Sequence, residues 1–408
     1  MHTSASASNL LVLNAYWAGL SFMWNALHPI VLPALLVRLV PDESKNTYLG
    51  LLTFAGLLVA MVLQPVSGAL SDRWISRYGR RRPLMVIGTL FDCVFLVILG
   101  LSGGFAWLLV GYVGLQVSSN TAQGPLQGLL RDRVPPHQLG VASSIKVFLD
   151  LMSLVAASLV AGRLMDTGAR GTSLVMLVIP GLLLAFGAIT ILFTHEESTM
   201  NAGGHHRSAR VPEEPYETGA NAGYWWLIAE RAAFLFGVYG LQAFGQYYLQ
   251  DALLVPNPPQ QAGNLLALIG LGTIALVVAG GWLADRFGPK RLLYAASGLA
   301  GLGMLLMVLT TDLRELYVIG SIVGAGIGLF LASNWALANR IAPPAQAGRF
   351  LGLTNLATAG AAALARLEGP AVDLLNAARP EAWWGYKGIF VFGALCILLS
   401  TWFLAKVK

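Results

Sequence analysis

Charged side chains are scarce: Asp, Glu, Lys and Arg make up 11% of the 408 residues, against 56% hydrophobic ones, and the net charge is only +6. Soluble domains carry about 25% charged residues, so a water-soluble globular class is excluded. A mean hydropathy of +0.65 points to a bilayer instead. Cysteine is nearly absent, and Cys93 and Cys396 both fall inside apolar runs, where no disulfide is expected and no redox compartment is implied. The chain lacks a G-x-x-x-x-G-K-[ST] nucleotide loop, which argues against ATP-driven work, and it lacks the H-E-x-x-H and G-x-S-x-G patterns of a membrane enzyme. No enzyme activity and no cofactor are therefore expected. His195, His205 and His206 have neither cysteine companions nor helical spacing, so no metal site is expected there. The opening MHTSASASNL has no basic region ahead of a short apolar run, and no cleaved signal peptide is expected.

What is present is a series of apolar runs long enough to cross a membrane. They fall near 10–36, 47–70, 84–102, 105–130, 141–165, 172–194, 224–250, 262–284, 291–311, 315–339, 350–372 and 386–405. Loops 71–83, 131–140, 195–223, 285–291 and 340–349, with the C-terminus, hold sixteen Lys and Arg, whereas the opposite loops hold six: Arg38, Lys45, Arg170, Arg314, Arg379 and Lys387. The positive-inside rule then places both termini in the cytoplasm of a cell bounded by the plasma (inner) membrane. Basic residues confined to short loops read as topology signals, so the bilayer is the expected macroscopic partner and nucleic acid is not. The polar, Gly- and Pro-containing stretch 195–223 reads as a linker between an N-terminal half, 1–194, and a C-terminal half, 224–408.

The halves repeat one another. GALSDRWISRYGRRRP at 68–83 has a shorter echo, GGWLADRFGPKR, at 280–291, so Asp72-Arg73 recurs as Asp285-Arg286 and Gly79 as Gly288, 209 residues on. Pro135-Pro136-x-Gln138-x-Gly140 recurs at 208 as Pro343-Pro344-x-Gln346-x-Gly348, and Gly162-x-x-x-Asp166 at 207 as Gly369-x-x-x-Asp373. A steady offset predicts an all-α polytopic membrane protein of twelve transmembrane helices in two pseudo-symmetric six-helix halves. In the loop itself, the Asp72 carboxylate is placed to meet the positive N-terminus of a neighbouring helix or one of Arg80, Arg81 and Arg82.

The loop after span 2 resembles the G-x-x-x-D-R-x-G-R-R signature of the major facilitator superfamily, and the resemblance runs from about residue 10 to 406. The longer form DRWISRYGRRRP, and PLQGLLRDRVPPHQLG after span 4, are similar to the loops of glycoside-pentoside-hexuronide:cation and sucrose:proton symporters. The resemblance implies the major facilitator fold. It also implies that Asp72, Arg73 and Arg80 to Arg82, with Asp285 and Arg286 as their echo, latch the cytoplasmic side in the outward-facing state. The alternative for the arginines is simple anchoring at the membrane surface.

Polar side chains recur at helical spacing inside three spans. Span 1 aligns Asn14, Trp17, Ser21, Asn25 and His28; span 4 aligns Gln116, Asn120, Gln123 and Gln127; span 7 aligns Tyr239, Gln242, Gln246 and Gln250. Span 10 adds Trp335 and Asn339. Such stripes line a water-filled path or serve as hydrogen-bonding glue between helices. In the family resembled, spans 1, 4 and 7 line the cavity, which implies a substrate site from Trp17, Asn25, His28, Gln116, Asn120, Gln123, Gln127, Tyr239, Gln242, Gln246 and Trp335. Amides donate and accept hydrogen bonds while aromatic faces cover apolar rings, which suits a neutral polar solute. His28-Pro29 is expected to kink span 1. Asp92 and Asp150 are the candidate proton-coupling carboxylates, with Lys146 one turn before Asp150 as an ion-pair partner. Span 1 carries no acidic residue, unlike the cation-coupled sugar symporters.

The expected function is a monomeric secondary transporter working by alternating access, coupled to protons, that takes up a small neutral polar solute such as a sugar or glycoside. Two alternatives stay open: a proton-coupled exporter of drugs or amphipathic metabolites, and a non-transporting membrane assembly or pigment-delivery factor on the same scaffold.

Overall fold

A computed structural model of the protein describes residues 6–194, 196, 198–200, 222–342 and 347–407. Most of the expected linker, with His195, His205 and His206, lies outside them, as does Pro343-Pro344 of the repeat. The described residues form helices and no strand. In order, α1 runs Ala7–Leu36, α2 Lys45–Asp72, α3 Arg82–Gly100, α4 Phe105–Arg133, α5 Leu139–Met165, α6 Ala169–Phe193, α7 Ala222–Asp251, α8 Pro258–Phe287, α9 Pro289–Leu309, α10 Leu313–Ile341, α11 Ala347–Ala365 and α12 Trp384–Lys406. Each contains or largely overlaps one apolar run of the sequence. A 3-10 turn, Arg366–Glu368, carries α11 into a further helical piece, Gly369–Ala378.

Ten of these helices are long and apolar enough to cross a membrane by composition alone. The remaining two are α4, whose amide stripe dilutes its hydropathy, and α11. α1 departs from α-geometry where the sequence predicts a kink: Pro29 has no N–H to donate, and Leu27–Val31 widens into a π-turn.

The outward surface inverts the pattern of a soluble protein. Along α2, Leu58, Val62, Val66 and Leu70 recur every four residues and are exposed, as are Leu395, Leu398, Leu399 and Trp402 on α12. An exposed apolar stripe of this length costs nothing against lipid tails and marks the membrane-facing side.

The helices cluster into two compact units. One comprises Met1–Trp24, Leu58–Ser153 and Ser173–Thr218; the other comprises Asn25–Leu57, Leu154–Thr172 and Gly219–Lys408. Segments 25–57 and 154–172, which the repeat assigns to the N-terminal half, thus pack with the C-terminal helices. In the first unit α3 lies along α4; in the second, α7 packs against α11 and α12, α8 against α10, and α9 against α10 and α12. The α8–α10 contact is close enough that Gly324 meets the Ile269 carbonyl where any Cβ would collide. Gly79 and Gly288 both hold positive φ, at 91° and 85°, a backbone conformation that glycine adopts without steric cost.

Candidate functional site

The loop after α2 closes on itself within the first unit. The Arg81 Nη2 lies 2.5 Å from Asp72 Oδ1, its Nε 3.1 Å from Asp132 Oδ2, and its Nη1 donates to Ser71 Oγ at 2.5 Å. Arg80 reaches the same Asp132 oxygen at 2.7 Å. The two partners anticipated for Asp72 are divided between two carboxylates: Asp72 takes the guanidinium, and the N-terminus of α3 is taken by Glu196. The Glu196 carboxylate accepts from the backbone N–H groups of Arg80, Arg81 and Arg82 at 3.0–3.2 Å, the arrangement that the unpaired amides and positive end of a helix favour. Arg73 is exposed, and its backbone N–H donates to the Leu70 carbonyl. In the repeat the polarity is exchanged. Arg340, 208 residues after Asp132 and likewise near the end of its helix, reaches Asp285 at 3.3 Å, while Arg286 lies over Trp282 and Phe287.

The α4 stripe is tied up along its own helix. Gln116 Nε2 donates to Tyr112 Oη at 2.9 Å, and Asn120 Nδ2 donates to the Gln116 carbonyl at 2.8 Å and to its Oε1 at 3.1 Å. Gln123 turns toward Ser119, at 3.0 Å, and accepts from Gln64 of α2 at 3.4 Å; Gln127 is exposed. The anticipated Lys146–Asp150 ion pair is not among the contacts within 4 Å. Lys146 Nζ instead sits 3.5 Å from the centre of the Trp17 ring, a cation–π contact, and Asp150 is exposed. Asp92 is fully buried; Ser118 of α4 donates to its Oδ1, and Oδ2 has no partner among the described residues.

In the second unit, a recess of about 20 Å³ opens between the π-turn of α1, α7 and α8, lined by Pro29, Gln242, Gly245, Gln246, Ala262 and Ile269 among others. That volume holds about one water. With its amide oriented by the donors and acceptors around it, Gln246 donates to the carbonyls of Pro29 and Ile30, both at 3.1 Å, and Tyr247 Oη donates to the Pro33 carbonyl at 3.0 Å. Pro33 has no N–H to give the Pro29 carbonyl four residues before it, and α7 side chains supply donors to this stretch, a structural duty for a residue that spacing assigns to substrate. His28 stands in the same π-turn with Arg366 as its charged neighbour; Asn25 is half-buried just before it. Tyr239 lies one turn before Gln242 on α7 and, like it, is half-buried.

Two buried charged clusters in this unit escape sequence reading. At one end of α7, Lys45 Nζ lies 2.7 Å from Asp251 and 2.8 Å from Asp42, and Tyr386 Oη donates to the second Asp251 oxygen at 2.5 Å. Asn46 Nδ2 and Thr47 continue the cluster by donating to Asp373 at 2.6–2.8 Å. Toward the other end, Asn334 of α10 donates to Glu230 Oε2 at 2.7 Å and accepts from Arg231 Nη1 at 2.6 Å, while Arg231 also bonds Thr358 and lies over Trp335. An acidic residue inside an apolar run was the available signal for Glu230. Lys45 and Asp251 sit at run ends, where sequence gives no hint of burial.

A polytopic helical bundle with an apolar exterior, a duplicated loop and amide-rich interior faces defines an integral membrane protein of the transporter fold class. A family model described as the Major Facilitator Superfamily matches residues 4–365, and the chain belongs to that superfamily. It is 28% identical to the sucrose transport protein SUC3 of Arabidopsis thaliana over 150 residues, covering 31% of this chain and 25% of that one. It is 29% identical over 150 residues to the sucrose transport protein SUT4 of Oryza sativa subsp. indica, covering 31% and 24%. The match therefore spans about a quarter of either relative. Among solved structures, a bacterial homologue of the human lysosomal transporter Spinster gives a TM-score of 0.75 at 17% identity, covering 98% of this chain and 96% of that one. A D-xylose-proton symporter gives 0.72 at 15% identity, covering 96% and 97%. At these identities the likeness is one of fold.

Proposed function

We propose that the chain is a secondary transporter that takes up a neutral polar solute, a sugar or glycoside, together with protons. It works as a monomer in the plasma (inner) membrane by alternating access between residues 1–194 and 224–408. The observation that carries this reading is the interior chemistry: Gln116, Asn120, Gln123, Gln242 and Gln246 supply neutral donors and acceptors, and Trp17, Tyr239 and Trp335 supply aromatic faces, inside a protein whose outer face is apolar. The partial match to sucrose transport proteins supports the sugar class. Asp92 and Asp150 remain the proposed proton-coupling groups of the N-terminal half, with Lys146 adjacent, and Asp72 with its arginines the proposed cytoplasmic latch.

Proteoliposomes carrying an inward proton gradient test this with sucrose first and then a panel of mono- and disaccharides. Gradient-driven accumulation of at least one sugar is expected, with a severalfold loss in Asp92→Asn or Asp150→Asn and weaker sugar affinity in Gln123→Ala. Proton-dependent efflux of amphipathic cations, with no sugar uptake, would transfer the assignment to drug export. Full gradient-driven flux in both carboxylate variants would remove Asp92 and Asp150 from the coupling scheme.

Orientation has its own test. In a background without Cys93 and Cys396, a cysteine at Ser76 is expected to label only from the cytoplasm and one at Asn257 only from outside. Labelling of Asn257 from the cytoplasmic face would overturn the twelve-span topology.

A further inference from the structure

Glu230 and Arg231 are consecutive residues of a membrane-spanning helix, and both are buried, at 0% and 3% exposure. Successive side chains on a helix diverge by about 100°, so the two cannot meet head-on. The Asn334 carboxamide stands between them, its nitrogen donating to Glu230 Oε2 at 2.7 Å and its oxygen accepting from Arg231 Nη1 at 2.6 Å. One amide thus polarises toward the carboxylate and the guanidinium at once. Arg231 is braced from a third helix by Thr358 at 2.9 Å. The remaining carboxylate oxygen, Glu230 Oε1, is buried and has no partner among the described residues.

The surroundings contain little else that could share a charge. On α7 itself Tyr224 and Tyr239 act on Arg231. α10 contributes Asn334 and Trp335, both neutral, and the ion pair at its end, Arg340 with Asp285, is exposed. α11 is uncharged from Phe350 to Ala365, α12 from Phe392 to Leu404, where Cys396 is the one ionisable group, and α8 from Ala262 to Ala284. Glu368, which acts on Cys396, approaches α7 at Gly240, about 15 Å along the helix from Glu230, and His28 and Arg366 lie with it.

We propose that Glu230, tied through Asn334 to Arg231, is a proton-exchange site of the C-terminal half, with Oε1 as the atom that takes the proton. This deepens the proton-coupled reading above and rests on it for its role in transport. A proton from water on Oε1 turns the neutral carboxylate–guanidinium pair into an acid beside a lone cation, and release of that proton restores neutrality. An uncompensated cation in a dry interior is costly. Protonation therefore favours a state in which Arg231 gains water or a solute oxygen. Asn334 is the positioning residue: it stabilises the ionised form by donating to it, and it holds the guanidinium in register.

The test begins without any solute. Infrared difference spectra of the full chain in detergent, taken between acidic and alkaline pH, are expected to show a carboxylic acid carbonyl band that titrates in the native protein and in Asp92→Asn and is missing in Glu230→Gln. In Asn334→Ala, which keeps the carboxyl but removes its donor, the midpoint is expected to rise by at least one pH unit, a tenfold change in proton affinity. In proteoliposomes, Glu230→Gln is expected to lose proton-driven sugar accumulation at least tenfold while sugar counterflow at equal pH stays within twofold of native. Survival in Glu230→Gln of the band that persists in Asp92→Asn, an unmoved midpoint in Asn334→Ala, or undiminished proton-driven accumulation in Glu230→Gln would each overturn the proposal. If native vesicles accumulate no sugar, the transport reading fails, and the spectra still decide whether Glu230 exchanges a proton.

Discussion

Asp251→Asn is expected to be the most damaging conservative substitution at the ends of the helices. Lys45 is 2% exposed and its ammonium is held by Asp251 at 2.7 Å; the other partner, Asp42, sits on a side chain 75% exposed. Removing the buried carboxylate leaves a buried ammonium with a weak, solvated partner and takes the acceptor from Tyr386. Breaking a buried pair in this way costs about 3–5 kcal/mol. Replacing both members with apolar side chains of similar volume is often neutral by the same balance of desolvation against attraction. Lys45→Met/Asp251→Leu is therefore expected to recover most of the melting temperature that Asp251→Asn loses. A double variant as unstable as the single one would show that the loss comes from the acceptor taken from Tyr386 rather than from an unpaired charge. In the proposed alternating-access cycle, the same cluster ties α2 to α7 and α12 in the second unit, so Asp251→Asn is also expected to raise labelling from outside.

Arg81→Ala is expected to be much worse than Asp72→Asn, although the two residues share a salt bridge. Arg81 is 5% exposed and serves Asp72, Asp132 and Ser71; the Asp72 side chain is 56% exposed and has that single charged partner. Hydrogen bonds to a charged group contribute about 1.5–3 kcal/mol each, whereas an exposed ion pair contributes about 0–1 kcal/mol. Thermal unfolding in detergent should separate the variants by several degrees, in that order. Asp72→Asn is nonetheless expected to shift the resting population toward inward-facing forms and slow cycling, because a difference near 1 kcal/mol redistributes two states of similar energy. Equal stability losses would contradict the geometry. Normal transport with unchanged cysteine accessibility in Asp72→Asn would leave the loop as an anchor alone.

The sequence by itself determined the class, the twelve helices, the duplication and the break in α1. Those features are local or periodic: apolar length sets the spans, a steady offset exposes the repeat, and Pro29 removes one helix donor wherever it is placed. The loop was legible in composition and only partly in wiring. Asp72 and Arg81 are ten residues from Ser71 or closer, but Glu196, the carboxylate on the α3 N-terminus, is more than a hundred residues away. Side-chain stripes told which faces are polar, not what they bond. Spacing could not reveal that Gln246 serves the carbonyls of α1, that Lys146 lies on Trp17 instead of pairing with Asp150, or that Asn334 joins Glu230 to Arg231. The pairs Lys45–Asp251 and Thr47–Asp373 are separated by 206 and 326 residues. A buried polar group is affordable only beside a partner that desolvation makes obligatory. Since that partner comes from another helix, its identity was decided by tertiary packing, which no single stretch of sequence contains.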